Sequence, residues 1–587
     1  MKILNYLKRY SLLIVILIVF TVGQVAATLA LPDYTARIIN DGIIGNDQNV
    51  IVSNGVLMLV VAFAGGICTV IAGYLAARIG TGFSRDLREG LFTKVESFSL
   101  AELNSFSTSS LITRSTNDIQ QVQMVIVMIM RMVLSAPITA VWAVYKAYSV
   151  APDMSWLMAL AVGVLLTIFV VVFSFALPKF KLVQELTDKL NRVARENLTG
   201  IRVIRAFNKQ LHEAKRLNVV NLDLTRTNLF IARIVALMQP VMFLILNMLS
   251  VGVIWVGVHL ISDYTLGIGE MLAFMQYAIQ VVIAFLLISI VFIMVPRAWV
   301  SIRRITEVLS LDALITNPNK PVKPEEKSGT VEFKDVTFGY NNADTPVLEN
   351  ISFTAKSGQT TAFIGSTGSG KSTLINLVPR FYDTLFGEVL IDGVNIREME
   401  LHDLRARIGY IPQKAVLFSG TIMSNIAYGT DDASQEQIEK AAEIAQAANF
   451  INSFPEKYET QVSQSGTNLS GGQKQRLSIA RAIVKDPEIL IFDDTFSALD
   501  FKTESKLRHA LTEITKDKTV LVVAQRVNTI LHADQIIVLN QGRIVGIGTH
   551  QELMKVCEVY REIARSQLSE EELKKYNGEE EDGRQEG

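Results

Sequence analysis

Six apolar segments crowd the first 300 residues, near 11–32, 51–77, 121–149, 155–178, 229–261 and 268–296. Each supplies the ~20 apolar residues that carry a helix across a bilayer. A buried core helix of a large soluble protein is the alternative for any one segment, but six in half a chain predict an α-helical, polytopic membrane domain. Lys2, Lys8 and Arg9 precede the first segment, as they would in a cleaved signal peptide. That segment is long for a signal's apolar region and continues into a multispan pattern. Only 19% of the 587 residues are charged, against roughly 25% in soluble domains. The net charge of −1 gives no reason to expect bulk nucleic-acid binding. Cys68 and Cys557 lie far apart and read as free thiols.

Charge predicts orientation. Arg85, Arg88, Lys94 and Arg114 lie between spans two and three. Between spans four and five a longer basic series runs from Lys179 through Arg192, Arg205 and Lys215 to Arg226. The opposite loops hold little beyond Arg37 and Lys146, so both termini are expected in the cytoplasm. Apolar residues recur every three or four positions in 83–98 and 202–217, which predicts that the spans continue as helices beyond the membrane. The turns near 99–110 and 206–217 are the places to touch a cytoplasmic partner. Methionines recur in spans three, five and six, from Met124 to Met294, and suit either packing or loosely defined apolar ligands. Arg131 stands in span three, lining a water-filled cavity or snorkelling to the boundary.

Composition changes after residue 311. Residues 312–329, "DALITNPNKPVKPEEKSG", read as a linker, 330–568 as an α/β domain, and the acidic stretch 569–587 as a solvated tail. "GEVLIDGVNI" (387–396) predicts a strand pair around Asp392-Gly393. "TTAFIGSTGSGKSTLINLV" (360–378) reads strand, glycine-rich loop, helix and contains G-x-x-x-x-G-K-[ST]. Gly365, Ser366, Thr367, Gly368, Ser369 and Gly370 let successive N–H groups converge on phosphate oxygens, with Thr373 in the helix that follows. Lys371 is expected at the β- and γ-phosphates and Ser372 on Mg2+. "EILIFDD" (488–494) predicts a buried strand ending in Asp493, a second Mg2+ ligand. In "LSGGQKQRLSIARAIV" (469–484), Ser470 and Gln473 form an S-x-x-Q capping box around Gly471 and Gly472. That helix start offers N–H groups to an anion but has no lysine and no metal ligand, so it reads as half a phosphate site.

Together these stretches resemble the ATP-binding cassette (ABC) superfamily, in the exporter arrangement of six spans followed by one P-loop ATP-binding domain. The resemblance implies that "GSTGSGKST" is the Walker A motif, "ILIFD" Walker B and "LSGGQ" the signature. It implies that Gln413 in "YIPQ" contacts Mg2+ and the attacking water, that Tyr340 stacks on adenine, and that "SALD", with Asp500, is the D-loop. It further implies that two such domains pair head to tail around ATP, so the chain must dimerise, and that the two cytoplasmic turns are coupling helices.

Two positions depart from the family pattern. Asp494 stands where most members have a catalytic Glu, and Gln525 where most have the switch-loop His. "TQVSQSG" (460–466) also lacks the acidic pattern often seen before the signature. The shorter Asp494 carboxylate retreats by about 1.5 Å, and a misplacement of ~1 Å costs ~10²-fold. Gln525 cannot carry the charge or shuttle a proton as His can. The expectation is a site that binds ATP and hydrolyses it poorly, in a heterodimer with a homologous half-transporter chain that keeps Glu and His. A homodimer with two slow sites is the alternative. The expected cargo is hydrophobic or amphipathic, a drug or lipid, moved across the cell membrane. Peptide export and a non-transport role as sensor or channel are the rivals.

Overall fold

The computed structural model describes residues 2–325, 327–340, 345–430 and 432–568; the acidic tail lies outside them. The chain forms two compact units, Met1–Glu96 with Thr108–Asp312, and Ser97–Ser107 with Ala313–Gly587.

Among the described residues of the first unit, six helices are long and apolar enough to cross a membrane: Ser11–Ile44, Gln48–Glu96, Thr108–Val150, Pro152–Thr199, Gln210–Ser262 and Ile268–Ser289. Spans two, four and five contain uninterrupted helices of 49, 45 and 53 residues. At ~1.5 Å per residue these run about 70–80 Å, more than twice the ~30 Å hydrocarbon thickness. The sixth helix also continues, to Ser310. Span three is different. Two π-helical turns, Arg114–Asp118 and Ile129–Val133, interrupt it, and Arg131 is exposed in the second. A third π-turn, Ile38–Ile44, ends span one. Such turns re-aim the side chains that follow them.

Polar contacts join particular spans. Arg114 donates to the Arg304 carbonyl at 2.8 Å and pairs with Glu307 at 2.9 Å, while Ser301 donates to Asp118 at 2.7 Å. Towards the other end of span three, Lys146 donates to Asp33 of span one at 2.7 Å, and the Tyr277 hydroxyl of span six donates to the same carboxylate. Spans four and five pack on each other, with Arg216 paired to Glu196 at 2.7 Å.

The second unit takes in residues 97–107, which the linear reading assigns to the membrane half. Ser99 and Glu102 form a capping box around the short helix Leu100–Ser105. The buried Glu102 also accepts from the Leu314 N–H at 2.7 Å, and Asn104 donates to the Tyr382 hydroxyl at 3.1 Å. Leu100 and Ala101 then pack on the core that contains Phe333 and Leu377. The other turn, near 206–217, leaves Phe207 and Leu211 exposed.

The strands of this unit are β1 (Val331–Phe338), β2 (Leu348–Ala355), β3 (Thr360–Gly365), β4 (Phe386–Ile391), β5 (Val394–Asn395), β6 (Ile408–Ile411), β7 (Gly420–Thr421), β8 (Gln461–Val462), β9 (Ile489–Asp493), β10 (Thr519–Val523), β11 (Gln535–Asn540) and β12 (Arg543–Gly548). The main sheet has the order β12-β11-β3-β10-β9-β6 and is parallel except for β12. Every residue of β9 and β10 is buried, which explains the unbroken apolar runs "ILIF" and "VLVV". A second, antiparallel sheet runs β2-β1-β4-β5. Its β4–β5 turn has positive φ at both Asp392 and Gly393, the primed turn that suits a two-residue hairpin. The last described helix, Glu558–Gln567, is held by the buried Tyr560, whose hydroxyl shares a 2.8 Å hydrogen bond with His550 Nδ1.

Candidate active site

The site is built where the parallel strands end, the usual place for a ligand in such sheets. From β3 the chain enters Ser366–Gly370 and then the helix Lys371–Leu377. Two glycines are required by geometry. A β-carbon on Gly365 would collide with the Leu539 carbonyl. Gly370 has φ +96°, and a β-carbon there would lie 2.7 Å from Leu348 Cδ2. Gly368 also has positive φ, while Ser366, Thr367 and Ser369 complete the loop. The Lys371 ammonium donates to the carbonyls of Gly365 at 2.9 Å and Ser366 at 2.8 Å. Burial pulls its pKa down, against the opposing charges of Asp494 and Asp493. Thr373 shares a 3.0 Å hydrogen bond with the Tyr340 hydroxyl. Tyr340 meets Phe338 and Tyr382 edge-on, so three aromatic rings stand beside the loop helix.

Ser372 donates to Asp493 at 2.7 Å. A hydroxyl and a carboxylate in contact form the hard oxygen donor set that suits Mg2+. Burial lifts the Asp493 carboxyl above its ordinary range; the Ser372 hydrogen bond opposes this and the neighbouring Asp494 charge adds to it. A bound dication would favour the ionised form.

Asp494 follows with φ +46°, a left-handed conformation that turns the chain sharply out of β9. Its side chain is the junction of three sequence-predicted residues. Gln413 donates to Asp494 Oδ2 at 3.1 Å, and Gln525 donates to the same oxygen at 2.7 Å. Burial raises the Asp494 carboxyl, with Gln413, Ser497 and the charge of Lys371 opposing. The two positions that depart from the family pattern are thus bonded to each other, and Gln525 acts as a donor to the acid.

Ser470, Gly471, Gly472 and Gln473 are not joined to this cluster by any hydrogen bond among the described residues. Their capping box forms as its pattern predicts. The Ser470 N–H donates to Gln473 Oε1 at 2.8 Å, and the Gln473 N–H to Ser470 Oγ at 3.3 Å. A β-carbon on Gly471 would meet nothing within 4 Å, so this helix start is open. Asp500 caps the helix Phe501–Ile514, accepting from the Thr503 N–H at 3.0 Å; the Thr503 hydroxyl first, and this N–H with it, hold its pKa below the ordinary range.

Sequence reading missed two supporting residues. Gln475 is buried inside the signature helix and donates to the Pro412 carbonyl at 3.2 Å, beside Gln413. Gln567 reaches back to the backbone around Gln525. Neither belongs to a local pattern; only the fold brings them to the site.

Comparisons with known proteins bear on the family. Residues 14–300 match the family model described as the ABC transporter transmembrane region, and 348–497 the model described as ABC transporter. An uncharacterized ABC transporter ATP-binding protein of Mycobacterium tuberculosis is 39% identical over 567 residues, 96% of this chain and 97% of that one. The ATP-dependent lipid A-core flippase of Syntrophus aciditrophicus is 31% identical, over 88% of this chain and 86% of its own length. A solved bacterial Atm1-family ABC exporter with ATP bound superposes with a TM-score of 0.80 at 26% identity, covering 96% of this chain and 99% of that one. With six membrane-crossing helices and an ATP-binding domain on one polypeptide, the chain belongs to the ABC transporters, as a half-transporter of the exporter type.

Proposed function

We propose that the chain is one subunit of a heterodimeric pump that uses ATP to move hydrophobic or amphipathic compounds, drugs or lipids, out across the cell membrane. Both termini face the cytoplasm on this reading. Its own Walker site binds ATP with Mg2+ and hydrolyses it slowly, while its Ser470–Gln473 helix start completes the partner's site. The observation that carries the reading is the Asp494–Gln525 pair beside intact binding residues.

The roles follow from the side chains. Lys371 and the loop N–H groups hold the β- and γ-phosphates, Tyr340 stacks on adenine, and Thr373 orients Tyr340. Ser372 and Asp493, with the Gln413 side-chain carbonyl, would hold the Mg2+, whose charge would offset that of the phosphates. Asp494 is the acid nearest the attacking water, but its carboxylate is short and tied to two amides. Gln525 can offer the γ-phosphate a neutral hydrogen bond and no proton. Loss of general-base help costs ~10²–10⁴-fold. ATP at both sites closes the paired domains and turns the membrane cavity outward; hydrolysis at the partner's site reopens them. The flippase relative supports an amphiphilic lipid as one cargo class.

The test is to purify the full chain in lipid nanodiscs, alone and with the related half-transporter it co-purifies with. ATP turnover confined to the paired form, with ATP retained on this chain's Walker residues after the partner's site has fired, is the expected result. Brisk turnover and cargo movement by the chain alone would overturn the heterodimer reading.

A further inference from the structure

The switch loop at Gln525 is held by the end of the chain's last described helix. Gln567 Oε1 accepts from the Val527 N–H at 2.8 Å, and Gln567 Nε2 donates to the Gln525 carbonyl at 2.9 Å. One side-chain amide therefore brackets the loop on both sides of Arg526. Val527 begins the short helix Val527–Ile530, whose own N-cap Arg526 supplies no side-chain bond, so its first N–H is capped from elsewhere in the fold. Gln567 is exposed but stands on an anchored helix. Leu568 after it and Ala564 before it are buried, and Tyr560 anchors the helix at the His550 hydrogen bond. Beyond the loop the path continues from the Gln525 amide to Asp494 Oδ2, where Gln413 also bonds.

We infer that Gln567 is a positioning residue of the ATP site, setting where the Gln525 amide stands relative to Asp494 and the γ-phosphate. It touches neither nucleotide nor Asp494 and acts through the backbone of residues 525–527. Removal leaves a loop carbonyl and the Val527 N–H to water, and the amide of Gln525 gains freedom at the point where a displacement of ~1 Å matters ~10²-fold. The inference needs the ATP-site reading but not the slow-hydrolysis reading.

The test compares hydrogen–deuterium exchange of peptides covering 520–531 in the full chain, with and without Mg2+ and ATPγS. The unsubstituted chain should show nucleotide-dependent protection there, Gln567→Ala should lose most of it, and Gln567→Glu, which keeps the acceptor for Val527, should retain an intermediate part. In an Asp494→Glu, Gln525→His background, Gln567→Ala should lower kcat about tenfold while KM for ATP stays within about twofold. A melting midpoint measured alongside separates positioning from loss of the helix. Where Gln567→Ala lowers that midpoint, Gln567→Glu carries the comparison. Equal protection in all three proteins, or none in the unsubstituted chain, would overturn the inference. Turnover of the unsubstituted chain judges the slow-hydrolysis reading separately.

Discussion

The phosphate loop and the acid end of β9 lie in one site but are built differently. The loop is fixed by backbone: Gly365 and Gly370 have no room for a side chain, and Lys371 bonds loop carbonyls. At the acid end the Asp494 N–H bonds the Val523 carbonyl at 3.1 Å, but the carboxylate itself is set by side chains, with the amides of Gln413 and Gln525 meeting at one of its oxygens. A backbone cradle tolerates little change and preserves binding. A side-chain network can exchange its members without disturbing the fold.

The largest way to break this contrast is Lys371→Ala. Two charge-assisted hydrogen bonds at ~1.5–3 kcal/mol each imply that ATP affinity falls about 10³-fold, measured by equilibrium binding of a fluorescent ATP analogue. Asp494→Glu with Gln525→His should instead leave affinity unchanged and raise hydrolysis at this site about 10²-fold, measured as phosphate release by the paired transporter. An effect on affinity rather than turnover would show that the two halves are not separable.

The smallest effect sharpens the same contrast through pH. Burial, with the nearby His532 charge, holds the His550 pKa below its ordinary value. The unfolded chain therefore takes up this proton first as pH falls. The stability His550 contributes is complete above its unfolded pKa of about 6.5 and declines as pH drops below it. Between pH 7.5 and 5.5 the melting midpoint should fall by a few degrees more in the unsubstituted chain than in His550→Gln. Because His550 holds the C-terminal helix through Tyr560, the loosening should reach Gln525 and spare the phosphate loop.

What the linear sequence disclosed follows the same division. The phosphate loop was legible because its residues are consecutive and each glycine answers a local constraint. The six spans were legible because the bilayer demands long apolar runs. The departures at Asp494 and Gln525 were visible singly, but their hydrogen bond was not, since β9 and β10 must first pair to bring them together. Gln475 and Gln567 left no mark in the sequence because their partners are backbone atoms, which carry no residue identity. The π-turns of span three were hidden for a related reason, since an extra residue per turn does not alter composition. The placing of 97–107 depended on Glu102 finding the Leu314 N–H, a partner 212 positions away in the chain.

The polar knot at Asp33 has a mechanical meaning. Lys146 and Tyr277 bring two more spans to a single carboxylate inside an apolar unit. The Lys146 and Asp33 side chains are 30% and 25% exposed, so the tie is partly wet, but one acid held from two other spans still fixes their mutual register. Spans one, three and six should therefore travel as one rigid stave, and the span four–five pair, closed by its own Arg216–Glu196 contact, is the piece left to swing.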